Sequence, residues 1–241
     1  MQQMQELKDI WPDNRVLCEY LGPPVPWGEQ YTADTEHRPA WAAYLREAYA
    51  RQVAILTEFC EKRQMPDGQL GGGWGDDVEM LRQWVSVAAI SSAAEGLRHG
   101  IDRLCEGIWT HVAVNGYDPT IGDVEHSAEP SADTFPTELL LRHGDPLYYQ
   151  WNLASCKTMR EVMLGTDNNG YPRFKSTVMG QKGVRNLIEC GGDTGYHARA
   201  MKHFYWLAWY GNEEAKRVYL DWADGWRNAT MLDNPDKPAG V

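Results

Sequence analysis

Apolar residues recur at helical spacing along most of this chain. From Pro39 to about Arg63, the positions Trp41, Tyr44, Leu45, Ala48, Val53, Leu56 and Phe59 follow one helix face, and Pro39 stands where a helix begins. Pro66-Asp67-Gly68 closes that segment in a turn. A second pattern runs from Asp76 to about Leu97, with Leu81, Trp84, Val85, Ala88 and Ala89 inward, and a third from about Gly100 to Val114. Asp133-Thr134-Phe135-Pro136-Thr137-Glu138 has the form of a capped helix start, and Pro146 opens a helix through Trp151 to Met163. Thr166-Asp167-Asn168-Asn169-Gly170 reads as a turn, and Arg173 to Met179 as a short strand or an extended rim segment. Further helices are predicted from Thr194 to Trp209 and from Glu213 to Asn228. The sum is an all-α fold of helical hairpins over residues 39–228. An irregular, Pro- and Gly-rich arm (1–38) precedes it and an extended tail (229–241) follows.

Three of the predicted helix starts share a chemistry. Gly71-Gly72-Gly73-Trp74-Gly75-Asp76-Asp77-Val78-Glu79 is a glycine-rich loop running into carboxylates. Gly122-Asp123-Val124-Glu125-His126 and Gly191-Gly192-Asp193-Thr194-Gly195-Tyr196-His197 repeat the idea. Glycine lets a ligand approach the main chain, and carboxylates at a helix start cap free N–H groups and sit at the positive end of the helix dipole. Each loop is therefore either a capped turn or a site, and Asp133 and Asp193, each followed by Thr, fit the capping role best.

Composition narrows the partners. The net charge of −11 argues against a nucleic-acid backbone or an anionic membrane surface, both of which need a basic face. No apolar run reaches the roughly 18 residues of a membrane span. The N-terminal stretch lacks a basic start followed by an apolar core, which predicts a cytoplasmic protein, or a secreted one if a leader has been removed. Five scattered cysteines form neither a disulfide framework nor a zinc motif. Eleven Trp and twelve Tyr against four Phe favour rings with a polar handle, which serve helix cores and also stack on sugars.

The glycine–acid loops at helix starts, the wealth of Trp and Tyr and the hairpin order together resemble the (α/α)-toroid carbohydrate-active enzymes: the six-hairpin glycosidases and the toroid polysaccharide lyases. The resemblance spans roughly residues 39–228 and is architectural. A closed ring of six hairpins needs about twelve helices, and the chain supplies about seven or eight, so the expected architecture is a partial or complete toroid. The resemblance implies a poly- or oligosaccharide substrate and a cleft at the rim where the inner helices begin.

Two reaction types fit the residues. Hydrolysis needs one carboxyl as acid and one as base or nucleophile. Asp76, Asp77, Glu79, Asp123, Glu125, Glu129 and Asp193 are the supply, with Asp77 and Glu125 the preferred pair. Elimination from a uronate needs a base, an acid and a grip on the substrate carboxylate. His126, His197 and Tyr196 are candidates for the first two, and Arg173, Lys175, Lys182 and Arg185 for the third. Trp74, Asp76, Glu79 and Asp193 complete the expected substrate contacts. No cofactor or metal is expected. Asp76-Asp77-Val78-Glu79 resembles the aspartate-rich magnesium motif of helical terpene synthases, but Met80 replaces the next acidic ligand. Gly165 and Ser176 similarly spoil an EF-hand reading around Asp167. A non-catalytic helical-hairpin scaffold holding sugar or protein is the third reading.

Overall fold

The computed structural model describes residues 2–21, 32–120, 124–175, 179–180, 183–184, 186, 188 and 198–231. Two compact units divide the chain, Met1–Ala48 and Tyr49–Val241. The N-terminal unit is less irregular than its sequence suggests, because α1 (Gln2–Ile10) and α2 (Arg15–Leu21) form within it. They are joined by a turn in which the Asn14 side chain accepts the Leu17 N–H at 3.2 Å, the usual use of Asn before a helix. The proline-rich Gly22–Pro26 stretch lies outside the described residues, as does most of the tail.

The C-terminal unit is built of α3 (Ala40–Lys62, whose first turns belong to the other unit), α4 (Trp74–Ile90), α5 (Glu95–Gly107), α6 (Val124–Leu141), α7 (Pro146–Thr158), α8 (Lys202–Trp209) and α9 (Glu213–Met231). Wider π turns extend α5 through Ile108–Val112 and α7 through Met159–Met163. Two small antiparallel hairpins accompany them. In one, β1 (Leu164–Thr166) pairs with β2 (Pro172–Phe174) across the predicted Asp167–Gly170 turn. In the other, β3 (Met179–Gly180) pairs with β4 (Gly183–Val184). Helix dominates, as the apolar period requires.

Cross-helix pairs give the direction of each helix. Arg82 meets Asp133 and Glu79 meets Glu129, so α4 and α6 run parallel. Glu129 meets Arg199, Ser131 meets His203 and Leu139 meets Tyr210, so α8 runs parallel to both. The intervening helices run the other way. Asp102 meets Arg142 while Trp109 meets Phe135, and Asn152 meets His203 while Tyr149 meets Tyr210. The result is a row of hairpins in which α4, α6 and α8 all begin at one end, while α5 and α7 finish there.

Shape complementarity fixes the packing. A Cβ on Gly100 would lie 2.2 Å from Cys60 Sγ, so α3 and α5 approach more closely than any other residue permits. Gly68, at φ +102°, turns the chain after α3 against the Arg103 backbone, where a Cβ would clash at 2.2 Å. Trp109 stacks on Trp151 at 4.8 Å, and Phe135 meets both edge-on. Much of the Trp content is therefore core.

Two boundaries differ from expectation. The pattern from Asp76 to Leu97 is broken at residues 91–94, because the Arg98 guanidinium donates to the Ala88 and Ser91 carbonyls at 3.0 and 2.7 Å and so finishes α4. The helix expected to start at Asp133 begins at Val124, and Asp133 is a mid-helix residue and not a cap. Pro130 and Pro136 hid this helix. Each removes one backbone donor, and separately the hydroxyls of Thr134 and Thr137 bond back to the Pro130 and Asp133 carbonyls at 2.5 and 2.9 Å.

Candidate functional site

The parallel starts of α4, α6 and α8 bring six charged side chains together. On α6, Glu129 and Asp133 are one turn apart and almost fully buried. From α4, Arg82 approaches Asp133 at 3.3 Å and Glu79 at 2.7 Å. From the turn before α8, Arg199 reaches Glu129 at 2.9 Å, Glu79 at 3.5 Å and Asp133 at 3.6 Å, and Lys202 closes on Asp133 at 2.5 Å. Three cations thus surround a buried carboxylate, and removing any one would leave charge unbalanced away from water.

Glu129 is the chemically distinctive member. Burial pushes its carboxyl up to about 7, against the pull of Arg199 and with further upward pressure from Asp133 and Glu79. Glu79 is half exposed and is held below the usual carboxylate range, first by Arg82 and also by Arg199. A protonated carboxyl therefore sits against a carboxylate whose other side faces solvent. His126, one turn before Pro130 and exposed, acts on Glu129 electrostatically.

Below this cluster lies a neutral polar relay. His203 is fully buried; its Nδ1 meets Asn152 Oδ1 at 2.7 Å and its Nε2 meets Ser131 Oγ at 3.3 Å. Burial, aided by neighbouring Lys202, lowers its imidazole to about 3. Asn152 donates to the Phe135 and Tyr148 carbonyls. The relay ties α6, α7 and α8 together at the depth where Lys202 leaves α8.

The motif most prominent in the sequence has a different role from the one expected. Asp77 is fully buried, and its two oxygens accept the Leu70 and Gly72 N–H groups at 2.6 and 2.8 Å. It clasps the glycine loop from inside, each oxygen engaged by a main-chain N–H. Trp74 stacks on His111 at 5.8 Å and covers Gly107, so it seals the α4–α5 contact and is only partly exposed. Asp76 is exposed.

Arg173 and Lys175, expected as substrate grips, have partners within the fold. Arg173 binds Asp167 at 3.2 Å and the Gly225 carbonyl at 2.7 Å, and lies 5.2 Å from the Trp226 ring. Lys175 donates to the Val162 carbonyl at 3.0 Å. Both are spent on holding the β1–β2 hairpin. Glu125 begins α6 one turn before Glu129, but its side chain lies outside what is described. So do Asp123, Lys182, Arg185, Asp193, Tyr196 and His197.

The residues that sequence reasoning passed over are Arg82, Asp133, Arg199 and Lys202. The readable signal was the four-residue period of Glu125, Glu129 and Asp133, which places three acids on one helix face. Among the described residues no group of three or more His, Cys, Asp and Glu could hold a metal ion, and no helix is long and apolar enough to cross a membrane. No protein-family model, no curated protein and no solved structure matches the chain.

Proposed function

We propose that this chain is a carbohydrate-active enzyme that cleaves glycosidic bonds of a poly- or oligosaccharide by acid/base hydrolysis. Its site is the rim where α4, α6 and α8 begin, and Glu129 is its proton donor. One observation carries the reading: burial raises the Glu129 carboxyl to about 7, beside Glu79, where three helix starts converge. A general acid with that value suits catalysis near neutrality. The toroid-like sequence character supplies the sugar class.

Burial raises the Glu129 carboxyl, and the charge of Glu79 adds to that rise. Glu79 therefore tunes the donor. The ionised partner is sought at Asp76 or Glu125, both at the same helix starts. A second reading is elimination from a uronate, favoured by the convergence of Arg82, Arg199 and Lys202 on this rim. Product analysis on a polysaccharide panel separates them. Hydrolysis yields new reducing ends without ultraviolet absorbance, elimination yields an unsaturated, absorbing sugar, and a panel with neither product refutes both.

A further inference from the structure

On the outer side of α8, away from the charged rim, α7, α8 and α9 enclose a cavity of about 300 Å³. This is the lower end of the size of small-molecule pockets, roughly 300–1,000 Å³. Its floor is apolar: Cys156, Phe204, Leu207 and Ala215 are buried core residues, with Leu153 and Val218 at the sides. Burial pushes the Cys156 thiol well up from its ordinary value, so the floor is inert.

The mouth carries four charges. Arg160 and Glu214 are ion-paired across it, from α7 to α9. Lys157 and Glu161 also line it and are exposed, and neither has an ionic partner among the described residues. They are four residues apart, a spacing that normally permits pairing on a helix. Glu161, however, lies in the π turn Met159–Met163, whose wider winding takes it off the column that Lys157 occupies. Such turns recur at functional positions in helices. The π turn thus holds one positive and one negative group apart at the lip of an apolar slot.

We infer that this slot binds a small zwitterion with an apolar side chain, an apolar amino acid, with its carboxylate on Lys157, its ammonium on Glu161 and its side chain on Phe204 and Leu207. A fatty acid would satisfy Lys157 and leave Glu161 facing a buried tail, and an apolar amine would do the converse. The inference is independent of the chemistry proposed for the rim.

The test is titration calorimetry of the full chain with L-phenylalanine, 3-phenylpropanoate and phenethylamine. L-phenylalanine is expected to bind one saturable site, at least tenfold tighter than either single-charge analogue. Lys157→Gln should weaken L-phenylalanine and 3-phenylpropanoate at least tenfold and leave phenethylamine unchanged. Glu161→Gln should weaken L-phenylalanine and phenethylamine and leave 3-phenylpropanoate unchanged. Both variants are at exposed positions and keep the fold, which unchanged melting curves verify. Absence of saturable L-phenylalanine binding up to about 10 mM, or equal binding of all three compounds, or insensitivity to both variants, overturns the inference.

Discussion

Asp77 Oδ2 accepts the backbone N–H of Leu70, seven residues earlier, at 2.6 Å, from a position with no solvent exposure. With the Gly72 N–H on its other oxygen, this carboxylate organises the glycine loop that leads into α4. Asp77→Ala would leave two inward N–H groups without their acceptor. A loss of about 2–4 kcal/mol in stability is expected from denaturant unfolding, since hydrogen bonds to charged acceptors each contribute about 1.5–3 kcal/mol. A loss below about 0.5 kcal/mol, the scale of an ordinary surface change, would contradict the clasp.

Glu138 is fully buried beside Asp102, Cys105 and Tyr148, and neither of its oxygens has a well-formed hydrogen bond. Burial, with Asp102 adding, raises its carboxyl to about 8. A raised folded value means the stabilisation is complete below the unfolded value near 4.5 and is lost as pH rises through about 8. Glu138→Gln, which mimics the protonated acid, should therefore unfold with the wild type at pH 4 and later than it at pH 9. Melting curves at the two pH values check this, and parallel losses in both proteins would refute it.

His203 has the opposite sign. Its imidazole is lowered to about 3, so its contribution is present above the unfolded value near 6.5 and is lost as pH falls through about 3. Imidazole resonances assigned to His203 should stay in the neutral position at pH 5. A titration midpoint above 6 would mean that the Ser131–His203–Asn152 relay is open to water.

Trp74 and His111 stack at the α4–α5 contact. If Trp74 serves packing first, Trp74→Ala lowers stability by about 3 kcal/mol. Trp74→Phe should retain most of it, with substrate affinity changed less than threefold. A variant with unchanged melting and lost affinity would restore the ring to the substrate cleft.

Local pattern carried the helical character of the chain, and α3, α7 and α9 match their expected bounds closely, although Trp41, Tyr44, Leu45 and Ala48 of the expected apolar face of α3 are exposed. It failed at α6 because Pro130 and Pro136 are loop signals taken alone, and the burial of this helix outweighs the backbone bonds they remove. The acids were legible as a set, but their roles were not. Asp77 and Asp133 exchanged parts: the residue read as catalytic clasps a loop, and the residue read as a cap sits among three cations. Those cations come from α4, from the turn before α8 and from the first residue of α8, up to 69 residues from Asp133. Nothing in a linear reading joins them.

The claim that Glu129 donates the proton rests on its value near 7, raised from 4.5 by burial. The corresponding stability, about 3 kcal/mol, is present below pH 4.5 and lost as pH rises through 7; Glu129→Gln removes that slope.

The most direct test is the pH dependence of kcat/KM for the wild type, Glu129→Gln and Asp77→Asn on one cleaved polysaccharide. The account predicts a wild-type profile that falls above about pH 7. It also predicts activity reduced at least a hundredfold in Glu129→Gln, the scale of general acid catalysis, and a retained profile in the folded fraction of Asp77→Asn. Near-normal turnover by Glu129→Gln, with the basic limb unchanged, would contradict it.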